Sequence, residues 1–337
     1  APAAAVSTVS ASGLSLSWGA AGNPFFRTTY TLEASTAADF TAQGAPYLVS
    51  LDTVSSAGPM ASLGGLSVNT TYHLRVRSLS HNGNASPWTG LGSTSTLTAL
   101  PGSAASTFSS VQTSSMSVSW TANGNPIDRT TYTVVLSTGA GYPNSYAGNL
   151  LLSTSPAGPA PHATPAGLSP NTTYQLFVSA LNNNGVDTLF VGLGATVTLA
   201  AEPSGPSVFW GTGVSSFSVT WNSNGNPLAV TTYTVQASSS SSFGGAGDTV
   251  ISESTLPAGG PSKTFTSLLP NTLYYVRAFA QNHAGLATGF GALGSTATLA
   301  QIPSSDPAPF AVVGISSIQA RWQSGGNPLA TEYELQA

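Results

Sequence analysis

The sequence predicts an all-β protein made of two-layer sandwiches joined in a row. Three observations lead there. Tryptophan returns at Trp18, Trp120, Trp221 and Trp322, in steps of 102, 101 and 101 residues. Four residues after each indole stands Gly-Asn-Pro: Gly22-Asn23-Pro24, Gly124-Asn125-Pro126, Gly225-Asn226-Pro227 and Gly326-Asn327-Pro328. The segments around these landmarks alternate apolar and small polar residues, with no helical period. A fixed period marks an array. A unit of about 100 residues is long enough to hold its own core. The expected units are residues 1–100, 101–201 and 202–301, with 302–337 as the opening strands of a fourth.

Within each unit the strand before the tryptophan comes first. Leu14, Leu16 and Trp18 share a face, as do Met116, Val118 and Trp120, then Phe217, Val219 and Trp221, then Ile318, Ala320 and Trp322. Period two with one apolar face is a half-buried antiparallel strand. Gly-Asn-Pro breaks it, because glycine admits positive φ and proline fixes φ and withdraws a donor. The next strand starts at a tyrosine, twelve residues past the tryptophan in three copies (Tyr30, Tyr132, Tyr233) and eleven in the last (Tyr333). Its threonine and tyrosine content suits a strand. Gly and Pro clusters in the middle of each unit, at Ala57-Gly58-Pro59, Pro156-Ala157-Gly158-Pro159 and Pro257-Ala258-Gly259-Gly260-Pro261, read as turns. A Leu-x-x-x-Thr-x-Tyr motif follows, ending at Tyr72, Tyr174 and Tyr274, and each tyrosine opens another alternating strand. A glycine ends that strand (Gly83, Gly185, Gly285). Last come Leu-Gly and a threonine-rich strand at Thr94–Leu97, Thr196–Leu199 and Thr296–Leu299.

A tryptophan in the second strand, a tyrosine in the third and the Leu-x-x-x-Thr-x-Tyr corner together resemble tandem fibronectin type III domains. The resemblance covers the whole chain. It implies immunoglobulin-like sandwiches in an extended array, strands A, B and E facing C, C′, F and G. It also implies that the corner tyrosine bonds back to backbone a few residues upstream. Gly-Asn-Pro is not general to the family and is similar to repeats in large bacterial surface proteins. The units run longer than is usual, and no Arg-Gly-Asp is present, so integrin binding does not carry over.

Composition narrows the function classes. Charged residues make up 5% of the chain and the net charge is −4, against about 25% charged in ordinary domains. Nucleic acid needs a basic stripe, and an anionic membrane needs a basic cluster; neither exists. No apolar run is long enough to span a membrane. With no cysteine, disulfides, thiolate chemistry and Cys-type zinc sites drop out. The first residues lack the charged and apolar regions of a signal peptide, so the numbering is read as starting after processing or inside a longer protein.

The periodic rings Trp18, Tyr30, Tyr72, Trp120, Tyr132, Tyr174, Trp221, Tyr233, Tyr274, Trp322 and Tyr333 stand on apolar faces and read as structural core rather than a sugar-stacking row. Trp88 and Trp210 fall outside the period and are the candidates for partner contact. His73, His81, His162 and His283 occupy different repeat positions, and Glu202 stands alone at its joint, so no metal or calcium site is expected. Gly244-Gly245-Ala246-Gly247 reads as a loop, and no catalytic triad or carboxylate pair recurs. Asp128-Arg129 and Arg75/Arg77 read as solvated charges. Asn69-Thr70-Thr71, Asn171-Thr172-Thr173 and Asn84-Ala85-Ser86 are formal N-glycosylation sequons; the first two coincide with the corner motif.

Short proline-bearing joints (Pro101, Pro203, Pro303) restrict pivoting and imply a stiff row, longer than about 100 Å at about 3.3 Å per strand residue. Ile318, Trp322 and Tyr333 would lack their covering sheet at the end of such a row. Continuation of the chain past Ala337, or a strand from a neighbour, would supply it. The expected role is non-catalytic and cofactor-free: a structural segment of an extracellular bacterial fibre, sheath or surface layer. Its uncharged faces would permit self-association into a homopolymer or packing with neighbouring surface proteins. An adhesin or stalk binding glycan or protein, or a passive spacer, is the alternative.

Overall fold

The computed structural model describes residues 5–41, 48–54, 59–139, 150–154, 160–245, 248–255 and 260–336. Three sets of seven strands appear among them, followed by a hairpin. The first set is β1 (Ala5–Val9), β2 (Gly13–Ser17), β3 (Thr29–Ser35), β4 (Leu48–Val54), β5 (Met60–Gly64), β6 (Thr71–Leu79) and β7 (Thr89–Ser95). The second is β8 (Gly102–Ser109), β9 (Ser117–Thr121), β10 (Thr131–Ser137), β11 (Leu150–Thr154), β12 (His162–Ala163), β13 (Thr173–Leu181) and β14 (Val191–Val197). The third is β15 (Ser204–Trp210), β16 (Phe217–Asn222), β17 (Thr232–Ser238), β18 (Val250–Ser254), β19 (Ser262–Phe265), β20 (Leu273–Gln281) and β21 (Gly291–Ala297). Each set makes a three-stranded and a four-stranded sheet, ordered β1-β2-β5 and β4-β3-β6-β7 in the first and likewise in the others. This is the A-B-E and C′-C-F-G division of tandem immunoglobulin-like β-sandwiches.

By contact density the described residues fall into two units. One comprises Ala1–Ser110, Met116–Pro165 and Tyr174–Thr196; the other comprises Val111–Ser115, Ala166–Thr173 and Val197–Ala337. In the first unit, Leu14, Leu16 and Trp18 of the small sheet meet Tyr30, Leu32, Tyr72, Leu74 and Val76 of the large one. In the second unit, Phe217, Val219 and Trp221 meet Tyr233, Val235, Tyr274 and Val276. Period-two alternation places these residues on the inner faces, where each buried side chain contributes about 1.5–3 kcal/mol. The in-phase register holds them there: Tyr132 opposes Ala180, and Tyr233 opposes Ala280.

The tryptophan and tyrosine meet edge to face in every copy. Ring centroids lie 5.5 Å apart for Trp18–Tyr30, 5.3 Å for Trp120–Tyr132, 5.5 Å for Trp221–Tyr233 and 5.6 Å for Trp322–Tyr333. Trp18, Trp120 and Trp221 are buried, yet their indole N–H groups have no acceptor. At the corner, the Tyr72 hydroxyl accepts from the Ser67 amide and the Tyr274 hydroxyl from the Leu269 amide, both at 3.0 Å.

Three expectations change. The last strand of each set begins earlier than the threonine run: β7 starts at Thr89, and Leu91-Gly92 lies inside it. Gly92 adopts φ 91° where the register with β6 shifts, so the glycine serves a bulge and does not precede the strand. Residues 302–337 supply β22 (Ser304–Val313) and β23 (Ile318–Gln323) but no third strand. In the complete copies the third strand lies between two partners; among the described residues nothing pairs with 331–336. Trp322 is therefore 41% exposed and, with the half-buried Tyr333, is not interior. The turns at 57–58, 156–159 and 257–259, residues 246–247 of the glycine loop and Ala337 lie outside the described residues.

Candidate functional site

The side chains with the most specific geometry sit where one copy hands over to the next, and most are asparagines. In Gly-Asn-Pro the two residues before the asparagine turn the chain with positive φ, as at Asn123 (49°) and Gly124 (86°) or Asn224 (51°) and Gly225 (81°). Asparagine and glycine tolerate that conformation better than other residues. The turn closes with the amide of Asn125 on Ala122 O at 3.1 Å and that of Asn226 on Ser223 O at 3.2 Å. The asparagine side chain is thereby aimed at the incoming linker. Asn125 Oδ1 accepts from the Ala99 amide and its Nδ2 donates to the Ala99 carbonyl, both at 2.8 Å. Asn226 does the same with Ala201 at 2.7 and 2.8 Å, and Asn327 with Gln301 at 2.7 and 2.8 Å. One carboxamide satisfies both backbone groups of one linker residue.

A second asparagine comes from the corner motif. Asn69, Asn171 and Asn271 have φ 43°, 43° and 42°. Their Nδ2 groups donate to the hydroxyls of Thr130 (2.9 Å), Thr231 (2.8 Å) and Thr331 (2.8 Å) in the following copy. Asn69 Oδ1 accepts from the Asn183 amide at 2.8 Å, and Asn171 Oδ1 from the His283 amide at 3.0 Å and the His283 ring Nδ1 at 2.7 Å. Asn182 and Asn282 add a third contact, donating to the carbonyls of Thr96 (3.2 Å) and Thr198 (3.1 Å). Thr98 donates to the Ala180 carbonyl at 3.0 Å. The two sequons at the corner are thus not open to modification in the folded chain: Asn69 and Asn171 are each 1% exposed, and the nitrogen a glycan would occupy is already bonded. Asn84, the third, is exposed.

Charges around Trp88 are packed rather than free. Arg75 lies 4.1 Å over the Phe40 ring and 4.2 Å over Trp88, Arg77 lies 4.4 Å over Trp88, and Arg75 pairs with Glu33 at 2.7 Å. The third set repeats the pattern with other residue types: Arg277 is 4.1 Å over Phe243 and 3.9 Å over Phe290, and its Nε donates to Gln236 at 2.9 Å. Trp88 therefore does have a counterpart, Phe290, hidden by the change of aromatic type. Arg75 and Arg77 are likewise not solvated charges: their guanidiniums engage the Trp88 ring. Such stacks are worth about 0.5–2 kcal/mol depending on desolvation, so Arg277→Met is expected to lower stability by about 1 kcal/mol, read as a shift in urea midpoint. Trp210 on β15 is 53% exposed and donates from Nε1 to Thr220 at 3.3 Å.

The phenols of Tyr132 and Tyr233 are pushed above their ordinary value of 10.0 by burial; the nearby carboxamides of Asn125 and Asn226 offset this only in part, because those amides are committed to the linker and leave both hydroxyls without an aligned partner. A raised acid pKa in the folded state contributes stability below the unfolded value that is lost as pH climbs through the folded value. Unfolding midpoints are expected to begin falling as pH rises past the ordinary phenol value of 10.0 and to go on falling above it, and the double change Tyr132→Phe, Tyr233→Phe to flatten that fall.

Among the described residues no three His, Asp or Glu side chains gather as a metal site. His73 lies in β6, His81 is exposed, His162 is exposed on β12, and His283 belongs to the joint. Asp128 and Arg129 form an exposed pair at 3.5 Å.

Residues 103–189 match the family profile described as Fibronectin type III domain. Among solved structures, the FN1-FN3 domains of chicken CNTN1 are similar over 88% of this chain and 98% of that one, at 16% identity and a TM-score of 0.29. No curated protein matches the chain. The second seven-strand set is thus the one that a fibronectin type III domain profile matches, and the same strand order recurs in the copies before and after it.

Proposed function

We propose that the chain is a non-catalytic structural segment of an extracellular bacterial fibre, sheath or surface layer. Its work is to hold consecutive modules in fixed relation. One observation supports this above the others: each joint is clamped by neutral asparagines, Asn69 with Asn125 at the first, Asn171 with Asn226 at the second and Asn271 with Asn327 at the third. A tether needs no such clamp. Domains of the matching family are typically structural or binding modules, commonly outside the cell. The described residues contain no helix long and apolar enough to cross a membrane.

Small hydroxyls pair between neighbouring strands, some exposed as at Ser62 and Thr264 and some buried as at Ser95 and Ser218. Ser15 bonds Ser62 and Ser218 bonds Thr264, each at 2.8 Å, and Thr71 bonds Ser95 at 2.7 Å. With 5% charged residues, little self-repulsion opposes lateral packing between copies. Sedimentation across a concentration series tests this reading. Reversible association supports assembly, and interfaces well over about 1,000 Å² would be expected. A chain that stays monomeric at every concentration removes assembly and leaves the spacer. The exposed Trp210 supports the adhesin reading as a second candidate: a glycan array signal lost in Trp210→Ala would favour it.

A further inference from the structure

The joint has two halves, and the first module carries the receiving half. In the second module the receiving side chains are Asn125, Thr130 and the amide of Asn183; in the third they are Asn226, Thr231 and the amide of His283. The repeat places Asn23, Thr28 and His81 at the corresponding positions of the first. They lie together: a cavity of about 380 Å³ is lined by Asn23, Pro24, Arg27, Thr28, Ser80 and His81. Thr28 is 7% exposed and donates to the Pro24 carbonyl at 3.0 Å, as Thr231 donates to Pro227 at 2.8 Å. That bond spends the hydroxyl hydrogen and leaves the oxygen lone pairs to accept, which is how Thr231 receives the Asn171 amide. Among the described residues the Asn23 side chain has only a long contact from Nδ2 to the Tyr30 hydroxyl, at 3.5 Å. Its carboxamide is held by the same turn as the others, with Gly22 at φ 84° and Gly225 at 81°.

We propose that this end of the first module is a docking site for the trailing end of a further copy of the same module. The occupant is defined by what fills the corresponding site twice in this molecule. It presents an asparagine in the left-handed conformation, whose Nδ2 donates to Thr28 and whose Oδ1 accepts from the His81 amide. It also presents an extended linker residue whose N–H and C=O pair with the Asn23 carboxamide. The inference rests on the joint geometry and is independent of lateral packing, so either can fail without the other.

The test adds a donor in register to the full chain. Placing a second copy of residues 202–304 directly before Ala1 sets the added Gln301 26 residues ahead of Asn23, the separation between Gln301 and Asn327. Amide exchange at His81 is the readout, since that N–H gains an acceptor. Exchange is expected to slow by about tenfold or more, and to return to the original rate when Asn271→Ala is made in the added copy alone. No slowing beside a folded added copy overturns the proposal, as does slowing that survives Asn271→Ala. A second donor, residues 102–203 with Asn171→Ala as its control, decides the matter if the first added copy does not fold. Sedimentation of the fused chain at one low concentration separates docking within the chain from lateral association.

Discussion

Trp221→Ala is expected to cost about 3–5 kcal/mol, the usual penalty for emptying a large aromatic site in a packed core. Trp221 is 4% exposed and packs among Phe217, Val219, Tyr233 and Val235 with an edge-on contact to Tyr233. Removing it opens a void that flanking strands cannot close without breaking register. Two companion variants separate packing from indole chemistry. Trp221→Phe is expected to cost far less, because the indole N–H is buried with no acceptor and its loss removes an unsatisfied donor. Trp322→Ala is expected to cost clearly less than Trp221→Ala, since that ring is 41% exposed against 4% and has no four-stranded sheet over it among the described residues. Urea unfolding followed by far-ultraviolet circular dichroism provides the readout. A cost for Trp221→Ala below about 1 kcal/mol would place it with ordinary surface changes and undo the interior role of the periodic rings.

The contrast between Trp221 and Trp322 shows what repetition in a sequence can and cannot convey. Alternation around Leu14, Leu16 and Trp18, or Phe217, Val219 and Trp221, is a local property, and strands with those inner faces follow from it. Burial is not local. Trp322 stands at the same place in the repeat as Trp221, four residues before Gly-Asn-Pro, but no four-stranded sheet lies over it among the described residues. The asparagine of Gly-Asn-Pro was legible as part of a turn and illegible as a clamp, because its partner is main chain in the preceding copy and main chain carries no residue signature. A spacing does mark it: Asn125 and Asn327 each lie 26 residues past their linker partner, and Asn226 lies 25 past. The Asn-to-Thr separations of 61, 60 and 60 residues mark the other half. The stacked arginines were missed for a different reason. Phe290 stands where Trp88 stands, and a search by residue type does not equate them.

Neutral carboxamides suit a chain so poor in charge. A salt bridge at the joint would weaken as ionic strength rose, whereas an amide–amide pair is set by geometry and by the cost of leaving a partner unsatisfied. The module junctions should therefore hold equally in dilute buffer and in brine.

Asn171→Ala is expected to be the most disruptive single change at a joint. Asn171 is 1% exposed, donates to the Thr231 hydroxyl and, at 3.4 Å, to the Val230 carbonyl, and accepts from both the backbone and the ring of His283. Alanine removes all four bonds and must also adopt φ 43°, a region that residues other than asparagine, aspartate and glycine enter at a cost. Together these should lower stability by about 2–4 kcal/mol. Glycine at the same position restores the backbone freedom but not the bonds, so Asn171→Gly should recover part of the loss and no more. Aspartate keeps the size and the acceptor for His283 but loses the amide that donates to Thr231. Asn171→Asp should therefore release the Val230–Thr231 side of the joint while the His283 side persists, visible as shifted resonances at Val230 and Thr231 and not at His283. The penalty for Asn171→Ala should be the same at about 0.1 M and 1 M salt. A penalty that shrank with salt would reveal a charge contribution at odds with a neutral clamp, and equal behaviour of alanine and glycine would reduce the carboxamide bonds to the whole effect, with no share for backbone strain.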